Sequence, residues 1–359
     1  MPEVSAKHKV ALLRVLRDAA RPVGSAVIAK DLQGQGIDLS SRTIRLYLQH
    51  MEKEGLVARA NRGRNGGRTI TPRGVEEIKD ALVTARLGFT VARVDTLAAQ
   101  MTFSLASRAG LIVLNVTTIE ETHLVRAMDV MMPIFRAGLG MGEYLALAGG
   151  GESLGRYRVA EGRIGIGTVC SVTINGVFLA ARIPTASRFG GVLEMDGGKP
   201  VRFTDVIGYD GTSLDPLEIF IKGRLLSVRE TARKGKGRIG VSFREVPTCA
   251  LGEVEKILRR LDRIGLNGVL MVGRPNQPLL DFPVHNDRTG LIVNGGLNPV
   301  AALEEAGIPN ENAAMAALFE FEKLLHYRVL AERIAKGEYA PRQRVGQAIE
   351  PVHEDWAIE

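Results

Sequence analysis

The sequence repeats itself. Gly110-Leu-Ile-Val-Leu-Asn-Val matches Gly237-Arg-Ile-Gly-Val-Ser-Phe at an offset of 127 residues. Gly165-Ile-Gly-Thr-Val-Cys-Ser matches Gly290-Leu-Ile-Val-Asn-Gly-Gly, and Ile183-Pro184 matches Ile308-Pro309, both at an offset of 125. A duplication at nearly constant spacing means one supersecondary unit used twice, each copy burying its apolar face against the other. In each copy the apolar periodicity gives a strand, a helix (about residues 121–136 and 250–264), strand-forming segments, then a strand running through a small-residue turn into a short helix. The expected fold class is α+β, with two βαββα-like halves forming a mixed α/β domain around one core. A β-rich insertion over about residues 189–221 separates them.

The residues ahead of the repeat have a different character. Of a formal net charge of +7, +6 falls within residues 1–80, which hold 15 Lys and Arg against 9 Asp and Glu. A first helix is expected from a Ser5 cap to about residue 18, with Val10, Leu13 and Leu16 on one stripe. Pro22 and Gly24 redirect the chain, Ser25 caps a short second helix, and Ser40 caps a third. On a 100° wheel Ile44, Tyr47, Leu48 and Met51 share one side of this third helix, and Arg42, Arg45 and Gln49 lie on the other. Arg can bond guanine bidentately and Gln can bond adenine, while Ser41 and Thr43 near the positive helix end suit phosphates. Five arginines (Arg59, Arg62, Arg64, Arg68, Arg73) and no acid then lie between residues 59 and 73, around a Gly-rich turn that reads as a hairpin. Three helices followed by an arginine-rich hairpin make a winged helix-turn-helix, in which Arg62, Arg64 and Arg68 would hold a nucleic-acid backbone. Thr71-Pro72 caps a further helix.

Within the repeat, the turns ahead of the short helices are Cys170-Ser171-Val172-Thr173 and Asn294-Gly295-Gly296-Leu297-Asn298-Pro299. With Thr173 and Asn298 as caps, each turn would present backbone N–H groups at a positive helix end, a place for a carboxylate or phosphate. The candidate anion-binding residues are therefore Thr168, Cys170, Ser171, Thr173, Asn294, Gly295, Gly296 and Asn298. Arg188, with Arg182 and Arg202, surrounds the insertion and is a further candidate to close over an anion, the default reading of all three being surface arginine. Cys170 is either a nucleophile with a lowered pKa or a small pocket-lining residue; with no histidine near it in sequence, the second reading is preferred. The tail over about residues 312–336 reads as a helix with Met315, Leu318, Phe321 and Leu325 on one stripe.

Several function classes are excluded. At about 100–200 residues per domain, 359 residues make two or three folded units. Two cysteines and six scattered histidines supply neither a disulfide framework nor a four-ligand zinc site, so a reducing, cytoplasmic setting and no bound metal are expected. The uncharged stretch over residues 164–181 is broken by Gly165, Gly167 and Gly176, and reads as strand, turn and helix rather than a membrane span. No secretory leader is read in the N-terminal residues. No His-Glu-x-x-His, paired-Cys motif or nucleophile elbow is present. Gly165-x-Gly167-x-x-Cys170 lacks the third glycine of a dinucleotide fingerprint, and Gly-Lys within residues 233–238 lacks Walker spacing. No catalytic residue and no cofactor are assigned.

Longer motifs point to a family. Gly24-Ser-Ala-Val-Ile-Ala-Lys, Leu39-Ser-Ser-Arg-Thr-Ile-Arg and Gly63-Arg-Asn-Gly-Gly-Arg-Thr-Ile-Thr resemble the winged helix of NrpR-type nitrogen regulatory repressors, itself similar to the winged helix attached to ribonuclease R. Gly165-Ile-Gly-Thr-Val-Cys-Ser-Val-Thr-Ile-Asn-Gly, Phe189-Gly-Gly-Val-Leu-Glu, Gly211-Thr-Ser-Leu-Asp-Pro-Leu-Glu-Ile-Phe-Ile and Gly295-Gly-Leu-Asn-Pro-Val-Ala-Ala-Leu-Glu-Glu-Ala-Gly resemble that family's regulatory domain. The resemblance implies a repressor that binds palindromic double-stranded DNA operators as a homodimer and is released by 2-oxoglutarate, with Cys170 at the effector pocket. It implies one regulatory domain here, where the commonly described archaeal form has two.

The resulting expectation is a winged-helix DNA-binding domain over residues 1–80, linker helices over 81–105, a regulatory domain over 106–310, and a C-terminal helix and tail over 311–359. Bases would be read by Arg42, Arg45 and Gln49. The competing readings are an α/β enzyme acting on a small anionic metabolite with the winged helix as a localiser, an RNA-directed module, and a repressor of other metabolic genes with a different effector.

Overall fold

The computed structural model describes residues 6–19, 21–34, 37–60, 67–80 and 89–337, and the chain divides into two compact units, Met1–Leu87 and Gly88–Glu359. In the first, α1 (Ala6–Ala19), α2 (Ser25–Gly34) and α3 (Ser41–Lys53) precede a hairpin of β1 (Val57–Arg59) and β2 (Arg68–Ile70), and α4 (Pro72–Asp80) follows. Leu13, Leu16, Ile28, Leu32, Ile44, Leu48 and Met51 form its core. The helix starts follow local chemistry. Ser40 Oγ accepts from Thr43 N at 3.0 Å, and Thr71 Oγ1 accepts from Gly74 N at 3.0 Å while donating to the Gly55 carbonyl at 2.7 Å. Thr71 thereby ties the start of α4 to the turn after α3. The expected Ser5 cap lies outside the described residues.

The second unit opens with α5 (Phe89–Gln100). Its first half is β3 (Leu111–Glu120), α6 (Leu124–Arg136), β4 (Tyr144–Ala148), a small hairpin of β5 (Ser153–Leu154) and β6 (Tyr157–Arg158), β7 (Arg163–Val169) and α7 (Val172–Ala180). β8 (Ala186–Asp196), β9 (Lys199–Gly208), α8 (Pro216–Lys222) and α9 (Val228–Lys234) follow. The second half is β10 (Gly237–Pro247), α10 (Leu251–Asp262), β11 (Val269–Val272), β12 (Arg288–Asn294) and α11 (Asn298–Glu305), after which come β13 (Glu311–Glu320), β14 (Leu325–His326) and α12 (Tyr327–Ala335). The duplicated βαββα plan is thus present.

The halves are joined by an exchange of strands. The two main sheets run β13-β3-β7-β4-β14 and β11-β12-β10-β8-β9. β8 leaves the first half and pairs antiparallel with β10 of the second, Gly191 opposite Val241. β13 leaves the second half and pairs antiparallel with β3 of the first, Leu318 opposite Val113. Neither sheet is complete within one half, so the halves share hydrogen bonds as well as apolar surface. Helices also pack across: Ile134 and Phe135 of α6 share a cluster with Val300 and Leu303 of α11.

Three expectations are corrected. Residues 311–320 form a strand and α12 begins only at Tyr327, because pairing with β3 overrides the helix propensity of the alanine-rich run. The fold therefore continues past residue 310. β8 is not part of an insertion; it is the exchanged strand, and β9 with α8 and α9 is what lies between the halves. The described part of the expected linker, α5, is built into the second unit, with Val94, Leu97 and Ala98 packed against Val113, Val172 and Met315.

Candidate functional site

The exposed side of α3 is the first candidate site. With Ile44, Leu48 and Met51 buried, Arg42, Arg45 and Gln49 stand exposed together. Ser41 and Thr43 at the helix start are partly exposed, with Thr43 Oγ1 2.9 Å from Ser40 Oγ. Leu46, which the sequence reading passed over, is also on this side and 42% exposed. An apolar residue among exposed donors is of the kind that contacts a thymine methyl. Arg68 is a correction: it is only 9% exposed, its guanidinium pairs with Glu52 at 2.7 Å, and its backbone bridges to Val23. At the start of β2 it points back towards α3, so it braces the hairpin and does not reach outwards. Arg62 and Arg64 lie outside the described residues.

The second candidate is a pocket where the two halves meet. The first half contributes Asn115 of β3 with Cys170 and Ser171 of the turn before α7, and the second contributes Arg244 of β10 with Gly296 and Leu297 of the turn before α11. Both helix starts therefore open on one cavity. The turns can approach only because residue 296 is glycine, since a Cβ there would stand 2.1 Å from the Val169 carbonyl oxygen and 2.7 Å from Asn115 Nδ2. Tyr209, Asp215, Met315, Val94, Val172 and Leu217 complete the lining. The cavity is tight, at about 10 Å³ of space for a water centre, which is room for one water.

Arg244 dominates its electrostatics. The residue is 1% exposed; Nη1 donates to the Ser171 carbonyl at 2.6 Å and to Asn175 Oδ1, and Nη2 donates to Ser171 Oγ at 2.9 Å. Its Nε is buried without a partner. All these acceptors are neutral, and among the described residues no carboxylate forms an ion pair with Arg244. Burial pulls its pKa down, yet a guanidinium stays charged in proteins. A cation held this way carries a desolvation penalty of several kcal/mol that an incoming anion would offset.

The surrounding groups are neutral or easily made so. Burial pushes the Cys170 thiol up to about 11, so it is a thiol that lines the pocket and not an activated nucleophile. Burial also raises the Tyr209 phenol. Asp215 caps α8, accepting from Leu217 N at 2.9 Å and Glu218 N at 3.3 Å. Burial, with the Glu218 charge nearby, nevertheless raises its carboxyl to about 6. Opposite Asn115, β13 bulges between Ala313 and Ala317. Met315, in the bulge, has φ 52° and donates its N–H to Asn115 Oδ1 at 3.0 Å.

Of the candidate anion-binding residues, Cys170, Ser171 and Gly296 line the pocket; the others lie elsewhere. Thr168 is buried in β7, its Oγ1 without a partner. Thr173 Oγ1 donates to the Val113 carbonyl at 3.4 Å. Asn294 donates to the Gly138 carbonyl at 2.9 Å. Asn298 accepts from Gly240 N at 2.9 Å and donates to the Leu139 carbonyl at 2.8 Å, while Gly295 N bonds the Gly240 carbonyl at 2.8 Å. These three residues fasten the turn to β10 and to the loop after α6. The caps are also corrected: Ser171 and Leu297 occupy the N-cap positions, neither with a side-chain cap bond. Arg188 stands 3.2 Å from His285 Nε2 and 3.9 Å from the buried Glu245 carboxylate, and Arg202 pairs with Glu194 at 2.7 Å. None of Arg182, Arg188 and Arg202 lines the pocket.

Asn115, Tyr209, Asp215 and Arg244 were not predicted. For Arg244 a signal was present: β10 alternates Ile239, Val241 and Phe243 with Gly240, Ser242 and Arg244. A lone charge on the small-residue face of an otherwise apolar strand is a poor fit to solvent and a good fit to a polar cavity.

A winged helix ahead of a duplicated α+β domain with a cation buried where its two halves meet is the arrangement of a regulatory protein. Residues 87–326 match the family described as NrpR regulatory domains NRD1 and 2, and residues 10–78 match the ribonuclease R winged-helix domain. The chain belongs to the NrpR family of nitrogen regulators. It is 31% identical to the global nitrogen regulator NrpRI of Methanosarcina mazei, over 90% of this chain and 98% of that protein. It is 33% identical to the global nitrogen regulator NrpR of Methanocaldococcus jannaschii, over 64% of this chain but 38% of that longer protein. The crystal structure of a nitrogen repressor-like protein from Methanococcus jannaschii aligns with a TM-score of 0.57 at 30% identity, covering 66% of this chain and 98% of the other. No helix among the described residues is long and apolar enough to cross a membrane.

Proposed function

We propose that the protein is a transcriptional repressor of nitrogen-assimilation genes that binds operator DNA as a homodimer and is released when a small dicarboxylate, 2-oxoglutarate, occupies the Arg244 pocket. The observation that carries this reading is Arg244 itself, a buried guanidinium whose Nε has no partner, in the wall of a cavity at which two helix N-termini converge. Such a site favours an anion through charge, free donors and helix dipoles together. The exposed donors of α3, Arg42, Arg45 and Gln49, support a base-reading face for duplex DNA. Because the cavity holds one water, a ligand the size of 2-oxoglutarate must part its walls. The liganded and empty conformations therefore differ, and a ligand that prefers one of them shifts the population. In a dimer whose two readers must sit one helical turn apart, a modest change of spacing suffices for release.

The test is operator binding titrated with and without 2-oxoglutarate, with succinate and glutamate as controls. The expected result is release by 2-oxoglutarate at concentrations where the controls leave the complex intact. Operator affinity that stays constant to saturating 2-oxoglutarate would sink the effector reading.

A further inference from the structure

Arg244 accounts for one end of a dicarboxylate, and α5 supplies a second guanidinium. Arg93 precedes the pocket-lining Val94. Its Nη2 donates to the carbonyl of Met315, another wall residue, at 2.7 Å, and its Nε is buried without a partner. It lies within electrostatic reach of Arg156, Cys170, Glu218 and Asp215, of which Cys170 and Asp215 line the pocket. Arg156 also donates to this bulge, to the Ala316 carbonyl at 3.0 Å, and Glu218 accepts from Ala314 N. Among the described residues no carboxylate forms an ion pair with Arg93. Arg244 thus lines the cavity, and Arg93, one residue before the lining Val94 and bonded to the lining Met315, places a second guanidinium with a buried free Nε behind the same wall.

We propose that Arg93 is the second anchor of the site: Arg244 takes one carboxylate of a linear dicarboxylate and Arg93 takes the other, so the ligand spans from β10 to α5. This rests on the pocket being an anion site, and deepens that reading by giving the specificity for two charges a residue. It also gives the ligand a lever. Polar ties from α5 to the second unit include Arg93 to Met315 and Thr90 Oγ1 to the carbonyls of Thr212 and Leu214, at 3.3 and 3.4 Å. Met315 is itself a wall residue, Leu214 directly precedes the wall residue Asp215, and Thr212 lies in the same turn three residues before it. A carboxylate captured by Arg93 competes with the Met315 carbonyl for its donors and repositions α5, the described helix that next follows the winged-helix unit in the chain.

The test is calorimetric titration of the full-length protein with 2-oxoglutarate and with 2-oxopentanoate, which keeps the chain length and lacks the second carboxylate. Wild-type protein is expected to favour the diacid by about 100-fold, the scale of a desolvated charge-assisted pair. Arg93→Gln is expected to bring 2-oxoglutarate down to the level of the monoacid, leave monoacid affinity within about threefold, and leave the ligand-free protein folded, its melting temperature lowered only by the loss of the Met315 hydrogen bond. Arg93→Lys is expected to recover part of the diacid preference, and Arg244→Gln to lose both ligands. A wild-type diacid preference retained in Arg93→Gln overturns the assignment, as does an equal loss of both acids, which would make Arg93 a structural prop. Wild-type protein that takes up neither acid overturns the reading of the pocket itself, and the assignment with it.

Discussion

Arg45 and Arg244 are one residue type put to opposite uses. Arg45 stands on the exposed side of α3 among other donors, where its charge is screened, cheap to keep and available to any phosphate or base within reach. Arg244 is sealed within the second unit, where its charge is costly, unscreened and reachable only through a cavity the size of one water. The first arrangement suits a large polyanion met at a surface, and the second a small anion that must be admitted. The difference teaches that positive charge alone does not define a ligand; desolvation decides how selective each guanidinium is.

The largest expected contrast is in salt dependence. Raising monovalent salt from about 50 to about 200 mM should cost operator binding about a thousandfold or more if six or more phosphates are contacted. Over the same range, 2-oxoglutarate affinity should change by less than about threefold, because a buried ion pair is screened far less than an exposed one. Parallel salt slopes for DNA and ligand would erase the distinction between the two regions.

Packing should separate them next. Gly296→Ala drives a methyl group to 2.1 Å from the Val169 carbonyl oxygen and should destabilise the second unit by about 3 kcal/mol, read as a lowered denaturant midpoint. Gln49→Ala on α3 should stay within about 0.5 kcal/mol of wild type. Arginine substitutions sharpen the same contrast inside the winged helix. Arg45→Ala should cost about 10- to 100-fold in affinity for a selected operator and relax its base preference, without changing the melting temperature. Arg68→Ala should do the reverse, lowering stability by about 1–2 kcal/mol through loss of the Glu52 pair and sparing sequence preference. Equal operator losses for the two variants would contradict the structural role given to Arg68.

The same contrast explains what could be read from the chain alone. Arg42, Arg45 and Gln49 were legible because an amphipathic helix displays its partition in the sequence: Ile44, Leu48 and Met51 mark the inner side, and the rest follows. The duplicated halves were legible from their offset. Arg244 was not, because its meaning comes from Ser171 and Asn175, about 70 positions away, and from Gly296, about 50 positions away. No local period reports such a meeting. The strand over residues 311–320 was misread for a related reason: Ala313, Ala314, Ala316 and Ala317 favour a helix locally, and only the partner strand β3 decides otherwise. The offset that carries Ile183-Pro184 and β8 onto Ile308-Pro309 and β13 did contain that strand, so the duplication was the better guide there than propensity.

The smallest expected effect isolates Asp215, which belongs to the buried region alone. Its carboxyl is raised from the ordinary 3.8 to about 6, first by burial and then by Glu218. In the ligand-free protein the folded state holds this proton to higher pH than the unfolded chain does. The associated stability is therefore full below 3.8 and is lost as pH rises through about 6. A dianion entering beside Arg244 raises this carboxyl further, so above about pH 6 binding takes up a proton and affinity climbs as pH falls, by at most about tenfold per unit. Asp215→Asn should flatten that slope while keeping a competent cap on α8. Operator affinity measured without ligand should show no matching change, because Asp215 has no part in the α3 surface. Ligand affinity that is level between pH 6 and pH 8 in the wild-type protein would remove Asp215 from the binding event. The anion site would then rest on its two guanidiniums with unpartnered buried Nε atoms, Arg244 and Arg93.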